Sequence, residues 1–133
     1  MSDLSTVLKI VDALEDARLR VWLFGGWAEE LRGLRPPCEH SHVDFLYPGR
    51  DFARVDRFAA GDERPHKRTF ELEGVSVELL LVQKDERGWY SQLPVGIHRW
   101  PADVFATAGK LPVASETALH AYRNARSRWA NAA

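Results

Sequence analysis

Apolar positions along this chain follow two periods, one helical and one extended. Val7, Leu8, Val11, Leu14 and Ala17 recur every three or four residues, which predicts a first helix capped by Ser5 and ending in the basic Arg18 and Arg20. Val21 to Phe24 is a short apolar run that reads as a buried strand and stops at Gly25-Gly26. Trp27 to Leu34 then returns to helical composition until Arg35-Pro36-Pro37 breaks it. The stretch His42 to Tyr47 predicts a second strand, closed by Pro48-Gly49. Beyond it, Asp51 is placed to cap a helix carrying Phe52, Val55, Phe58 and Ala59.

The second half has more strand character. Arg68 to Leu72, Glu73-Gly74 and Val75 to Val82 predict a hairpin, with Val75, Val77, Leu79 and Leu81 alternating with Ser76, Glu78, Leu80 and Val82. Glu78 therefore belongs to the face opposite Val77 and Leu79. Gly88 to Trp100 predicts one further strand, made irregular or confined to an edge by Pro94 and Gly96. A last helix from about Ser115 to Trp129 aligns Leu119, Tyr122, Ala125 or Arg126, and Trp129 on one side. No repeat, linker or low-complexity segment interrupts the pattern. The expectation is one α/β domain over residues 1–133, with a core over about 1–100 and a helical segment over about 101–133.

Composition narrows the partners. A hydrophobic share of 45% suffices for a continuous core, and 18 Lys and Arg against 19 Asp and Glu leave a formal charge of -1. No global field then draws the chain to nucleic acid or to an anionic membrane, so recognition must come from a local site. The single Cys38 excludes an internal disulfide, and Met1 to Asp16 has neither a basic start nor an apolar signal core. The apolar run Leu79 to Val82 falls far short of the roughly 20 residues that span a bilayer. A soluble protein of the reducing cytoplasm is expected.

The candidate chemistry starts at Gly25-Gly26. Two glycines between a buried strand and a helix let the backbone pass close to a bulky anion, so this turn is a candidate triphosphate cradle. On spacing alone such a pair is more often ordinary turn chemistry. Gly25-Gly26-Trp27-Ala28-Glu29-Glu30-Leu31, followed by His40-Ser41-His42-Val43-Asp44-Phe45, resembles the nucleotidyltransferases that adenylylate aminoglycoside and lincosamide antibiotics. Those enzymes carry Gly-Gly-Trp-Ala and then His-x-Asp-x-Asp. His40 and Asp44 match the His and the second Asp, His42 stands where the first Asp belongs, and Glu78 matches by position the third carboxylate, from a later strand. Glu30 replaces the family's usual Asp, and Cys38 stands near its usual basic residue before His40.

The resemblance covers roughly residues 20 to 82 and implies the nucleotidyltransferase fold, a mixed β-sheet flanked by helices. It also implies nucleoside triphosphate binding, ATP foremost, at Gly25, Gly26 and His40. A divalent ion, Mg2+ or Mn2+, would be held by His42, Asp44 and Glu78, which are also the implied catalytic residues. Nucleotidyl transfer to a hydroxyl of a small polyhydroxylated molecule would follow, with the general base among Asp85, Glu86 and Asp103. Imidazole in place of carboxylate moves such a site from magnesium toward manganese, iron or zinc.

Three readings of these residues stay open: an active enzyme, a binding or regulatory protein of the same fold whose metal motif decayed at His42, and a His-x-His-x-Asp metal hydrolase using His40, His42 and Asp44. Trp27 is expected to pack under the phosphate loop. Arg123, Arg126 and Arg128 either steady phosphates or complement the carboxyl end of the last helix. The short segment after the core and the aromatic last helix suggest that a homodimer completes the acceptor pocket.

Overall fold

The computed structural model describes residues 3–132. Helix α1, Leu4–Asp16, buries Val7, Ile10, Val11 and Leu14, the stripe its periodicity predicts. Its cap is Asp3 rather than Ser5. The Asp3 carboxylate accepts the Thr6 N–H at 2.8 Å and so satisfies an amide that the first helical turn leaves open. The helix also ends before the two arginines, because Arg18 turns to a left-handed φ of 61° and the Leu19 N–H returns to the Leu14 carbonyl.

The remaining elements, in chain order, are β1 Trp22–Phe24, α2 Gly25–Leu31, β2 His42–Pro48, α3 Ala53–Phe58, β3 Asp62–Arg64, β4 Lys67–Leu72 and β5 Val75–Asp85, followed by β6 Gly88–Leu93, β7 Gly96–Arg99, β8 Phe105–Ala108, β9 Leu111–Ala114 and α4 Glu116–Ala132. The strands form a mixed sheet in the order β3-β4-β5-β2-β1-β9-β8, and β6 and β7 extend from the far end of β5. β2 runs parallel to β5 and antiparallel to β1, and β1 runs parallel to β9. The expected mixed sheet flanked by helices is the fold of this chain.

Three local expectations change. The two glycines are the first residues of α2 rather than a turn before it, and the helix ends at Leu31 instead of Leu34. The single strand expected over Gly88 to Trp100 is a hairpin, β6-β7, that turns through Pro94-Val95 with Gly96 at φ 134°. Strands β3, β8 and β9 carry no clear period of two. They are short, and they exist because neighbouring strands supply their hydrogen-bond partners.

Fully buried Leu23, Val43, Phe45, Leu46, Val77, Leu79 and Val82 join the α1 stripe in one core. α4 closes one side with the predicted face. Its Leu119 and Ala125 are buried, and the Tyr122 ring stacks on Trp100 with centroids 5.6 Å apart and meets Phe24 edge-on at 5.0 Å. Among the described residues no helix is long and apolar enough to cross a membrane.

Ser91 secures this aromatic wall. Its fully buried hydroxyl donates to the Leu81 carbonyl at 2.7 Å and accepts the Trp100 indole N–H at 2.9 Å, tying the β6-β7 hairpin to β5. Ser91→Ala leaves the indole N–H buried without an acceptor and is expected to cost about 1–3 kcal/mol, measured as a lower midpoint in urea denaturation.

Candidate functional site

The site is set by strand register. In the parallel β2-β5 pair Asp44 lies directly across from Glu78, with Val43 opposite Val77 and Phe45 opposite Leu79. Those four hydrophobic residues are fully buried, so the two-residue period that sends them into the core sends both carboxylates to the opposite face. His42, two positions before Asp44, projects from that same face. Its Nε2 is 3.2 Å from Asp44 Oδ2 and 3.6 Å from Glu78 Oε2. Lys67 on β4 donates to Glu78 Oε1 at 3.1 Å.

Two carboxylates in contact cannot both ionise cheaply. Burial pushes the Asp44 carboxyl up to about 8, helped by its hydrogen bond to Glu78 and by the Glu78 charge, while Lys67 and Arg126 pull the other way. Glu78 moves below the usual carboxylate range, chiefly because it accepts that hydrogen bond and then because Lys67 and the His42 charge favour its ionised form. Near neutral pH the pair therefore shares one proton. One imidazole and two carboxylates with donor atoms all within 4.8 Å of one another suit a divalent cation.

Gly25 lets the chain turn against this pair. It has φ 65°, and a Cβ there would overlap the Asp44 carboxylate. A Cβ on Gly26 would come within 2.9 Å of Arg35 Nη1 and of His40 Nδ1. Both glycines, with Arg35, form one wall of a cleft of about 1030 Å³ whose floor is His42, Asp44 and Glu78. Tyr122, Arg123 and Arg126 of α4, Leu93, Pro94 and Val95 at the β6-β7 turn, and His66 and Lys67 line the same cleft. Arg123 and Arg35 both pair with Glu29 of α2, so α4 is latched to the helix that the glycines begin.

The structure gathers Gly25, Gly26, His40, His42, Asp44 and Glu78 around one cleft, but His40 plays a separate part. Its ring is buried, lies 4.5 Å from that of Trp27, and holds Glu30 Oε1 at 3.0 Å through Nε2. It thus groups with Glu30 and Cys38, while His42 groups with Asp44 and Glu78. The His-x-His-x-Asp hydrolase reading falls, because its three ligands do not converge. Trp27 is buried beside the glycine pair as expected.

The three general-base candidates lie elsewhere. Asp85 is gripped by Arg99 at 2.8 and 2.7 Å, which together with the Arg87 amide lowers its carboxyl to about 2. Glu86 follows it in the β5-β6 turn, Asp103 accepts from the Ser115 hydroxyl at 3.4 Å, and none of the three lines the cleft. Nor does Arg128, whereas Arg123 and Arg126 do. Sequence reasoning missed Arg35, His66, Lys67 and the β6-β7 turn. Lys67 shares a strand face with Thr69, the residue opposite Glu78, so extending the predicted hairpin by one residue would have revealed it.

No family model matches the chain, and no curated protein matches it in sequence. Solved structures do match its fold. ANT(2″)-Ia in complex with adenylyl-2″-tobramycin superposes with a TM-score of 0.63 at 17% identity, over 92% of this chain and 76% of that one. The lincomycin-bound lincosamide antibiotic adenylyltransferase LnuA gives 0.63 at 16% identity, over 85% and 80%. A Thermotoga maritima protein for which nucleotidyltransferase function is proposed gives 0.64 at 17%, over 97% and 87%. At these identities the likeness establishes that this chain has the nucleotidyltransferase fold.

Because Asp44 holds its proton up to about pH 8 when folded, against an ordinary carboxyl value of 3.8, the folded form carries the extra proton between those limits. The stability of the metal-free protein consequently falls as pH rises through that window. Asp44→Asn, which cannot ionise, is expected to raise the melting temperature over wild type more at about pH 9 than at about pH 5, both measured in chelator. Equal differences at the two pH values would mean that Asp44 is ionised throughout.

Proposed function

We propose that the cleft binds a nucleoside triphosphate together with a divalent cation and transfers the nucleoside monophosphate to a hydroxyl of a small polyhydroxylated acceptor, of the aminoglycoside or lincosamide kind. The observation that carries this reading is the Asp44–Glu78 pair, held in register in a cleft that Gly25 and Gly26 also line. The acceptor class rests on the fold shared with ANT(2″)-Ia and LnuA.

Asp44, Glu78 and His42 would hold the cation, and their mixed donor set favours Mn2+ over Mg2+. Such an ion supplies positive charge to the triphosphate oxygens on which negative charge builds during nucleotidyl transfer. Gly25 and Gly26 give the phosphates close access to backbone, while Arg35, Lys67, Arg123 and Arg126 line the same cleft and balance the remaining phosphate charge. Besides the site pair, Glu29 and Glu39 are the carboxylates lining the cleft among the described residues. Glu29 is engaged by Arg35 and Arg123, which leaves Glu39 the better placed to take a proton from an acceptor hydroxyl.

One observation favours a second reading, a nucleotide-binding protein without catalysis. His42 and Lys67 both stand against the carboxylates, where they supply internal countercharge that substitutes for a cation.

Calorimetric titration of the protein with each of ATP, GTP, CTP and UTP, in Mg2+, Mn2+ or Zn2+, tests the proposal. Metal-dependent micromolar binding is expected, tightest in Mn2+ and weakened about tenfold or more by Asp44→Asn. His42→Asp should move the preference to Mg2+ by restoring an all-oxygen set. Nucleotide binding that is independent of metal in the wild type, with metal dependence and transfer appearing only in His42→Asp, would establish the second reading. The absence of nucleotide binding under every metal would overturn both.

A further inference from the structure

Beside the glycine pair, outside the Asp44–Glu78 site, lies a second cluster of metal-binding donors. Glu30 at the end of α2, Cys38 in the loop before β2 and the buried His40 bring a carboxylate oxygen, a thiol sulfur and an imidazole nitrogen within 4.8 Å of one another. We propose that Glu30, Cys38 and His40 form a binding site for a thiophilic divalent cation, zinc foremost, that anchors the 32–41 loop beside Gly25 and Gly26. The proposal is independent of what the main cleft binds.

Which nitrogen points where carries the argument. His40 Nε2 is 3.0 Å from Glu30 Oε1 and 3.8 Å from Cys38 Sγ, so a single ring nitrogen faces both neighbours. A nucleophilic Cys-His-Glu relay needs the opposite arrangement, with one ring nitrogen for the thiol and the other for the carboxylate. Three different donors converging on a common point is instead what a cation requires. Tetrahedral zinc, with bonds of about 2.3 Å to sulfur and about 2.0 Å to nitrogen or oxygen, sets a sulfur–nitrogen pair about 3.6 Å apart and a nitrogen–oxygen pair about 3.3 Å apart. The two separations here bracket those values.

The surroundings fit the same conclusion. His40 is 7% exposed, and its Nδ1 side is the one a Cβ on Gly26 would strike, so the ring is held in place with Nε2 toward the donors. Glu30 Oε1 also accepts the Cys38 N–H at 3.0 Å, which brings the loop bearing the thiol back onto α2. Cys38 is exposed and, like His40, lines the main cleft, giving a cation a path in and a fourth position for solvent or a phosphate oxygen. Sulfur ligation separates this site from the one formed by His42, Asp44 and Glu78, where a second carboxylate takes the place of the thiol, so the two would select different metals.

Co2+ reports on the site because a thiolate bound to it gives a sulfur-to-metal charge-transfer band in the near ultraviolet. Titration of the reduced full chain is expected to produce that band at one equivalent, and Zn2+ should abolish it by displacement. Cys38→Ser should remove it, Asp44→Asn should leave it intact, and Glu30→Gln should weaken Co2+ affinity about tenfold or more. In the Asp44→Asn background, which weakens the cleft site, Zn2+ should also raise the melting temperature, and adding Cys38→Ser, an exposed substitution with little effect on folding, should abolish that rise. Cys38→His, which keeps a donor, should bind Co2+ without the band. No band, a band saturating at half an equivalent, or Glu30→Gln with unchanged affinity would each overturn the proposal.

Discussion

Everything about the site depends on the pairing of β2 with β5. These are central strands, each flanked by further strands, and their shared register buries Val43, Phe45, Val77 and Leu79 completely. A slip of one residue would send those hydrophobes to the cleft and bury Asp44 and Glu78, a rearrangement that costs both apolar burial and charge solvation. The core thus holds two carboxylates side by side, and the repulsion that ionising both would create is a consequence of how firmly the register is set.

That repulsion explains the cations gathered around the pair. Asp44 keeps its proton well above the usual range, and Lys67, His42 and Arg126 offset the charge that remains. A group of this kind is poised to exchange its proton and its internal countercharges for an external cation. The same balance accounts for the choice posed by His42. Relative to Asp at that position it lowers the negative charge of the site, which weakens attraction for a hard cation and also makes the site tolerable without one.

The glycine pair lies between the two donor clusters. Gly25 abuts Asp44 on one side, and Gly26 abuts His40 on the other. Glu29 adds a third link through Arg35 and Arg123, joining the loop, α2 and α4 around the same opening.

The residues of the site were legible in sequence wherever chemistry and spacing are local. Local pattern placed Gly25-Gly26 after an apolar run, His42 and Asp44 on one strand face and Glu78 on an alternating strand, while their membership of a single site was what the resemblance implied. Local pattern also determined α1, α4 and the β4-β5 hairpin. It was silent on β3, β8 and β9, which are stabilised by partners distant in sequence, and on the division of Gly88 to Trp100 into two strands.

Only tertiary structure could decide that His40 turns away from His42, because the two differ in which elements pack on them and not in their spacing. Likewise it set Asp85 against Arg99, away from the cleft, and brought Lys67 and Arg126 to it. The chain's periodicity states which side chains share a face. Which faces meet depends on long-range pairing, whose free energy belongs to no single segment.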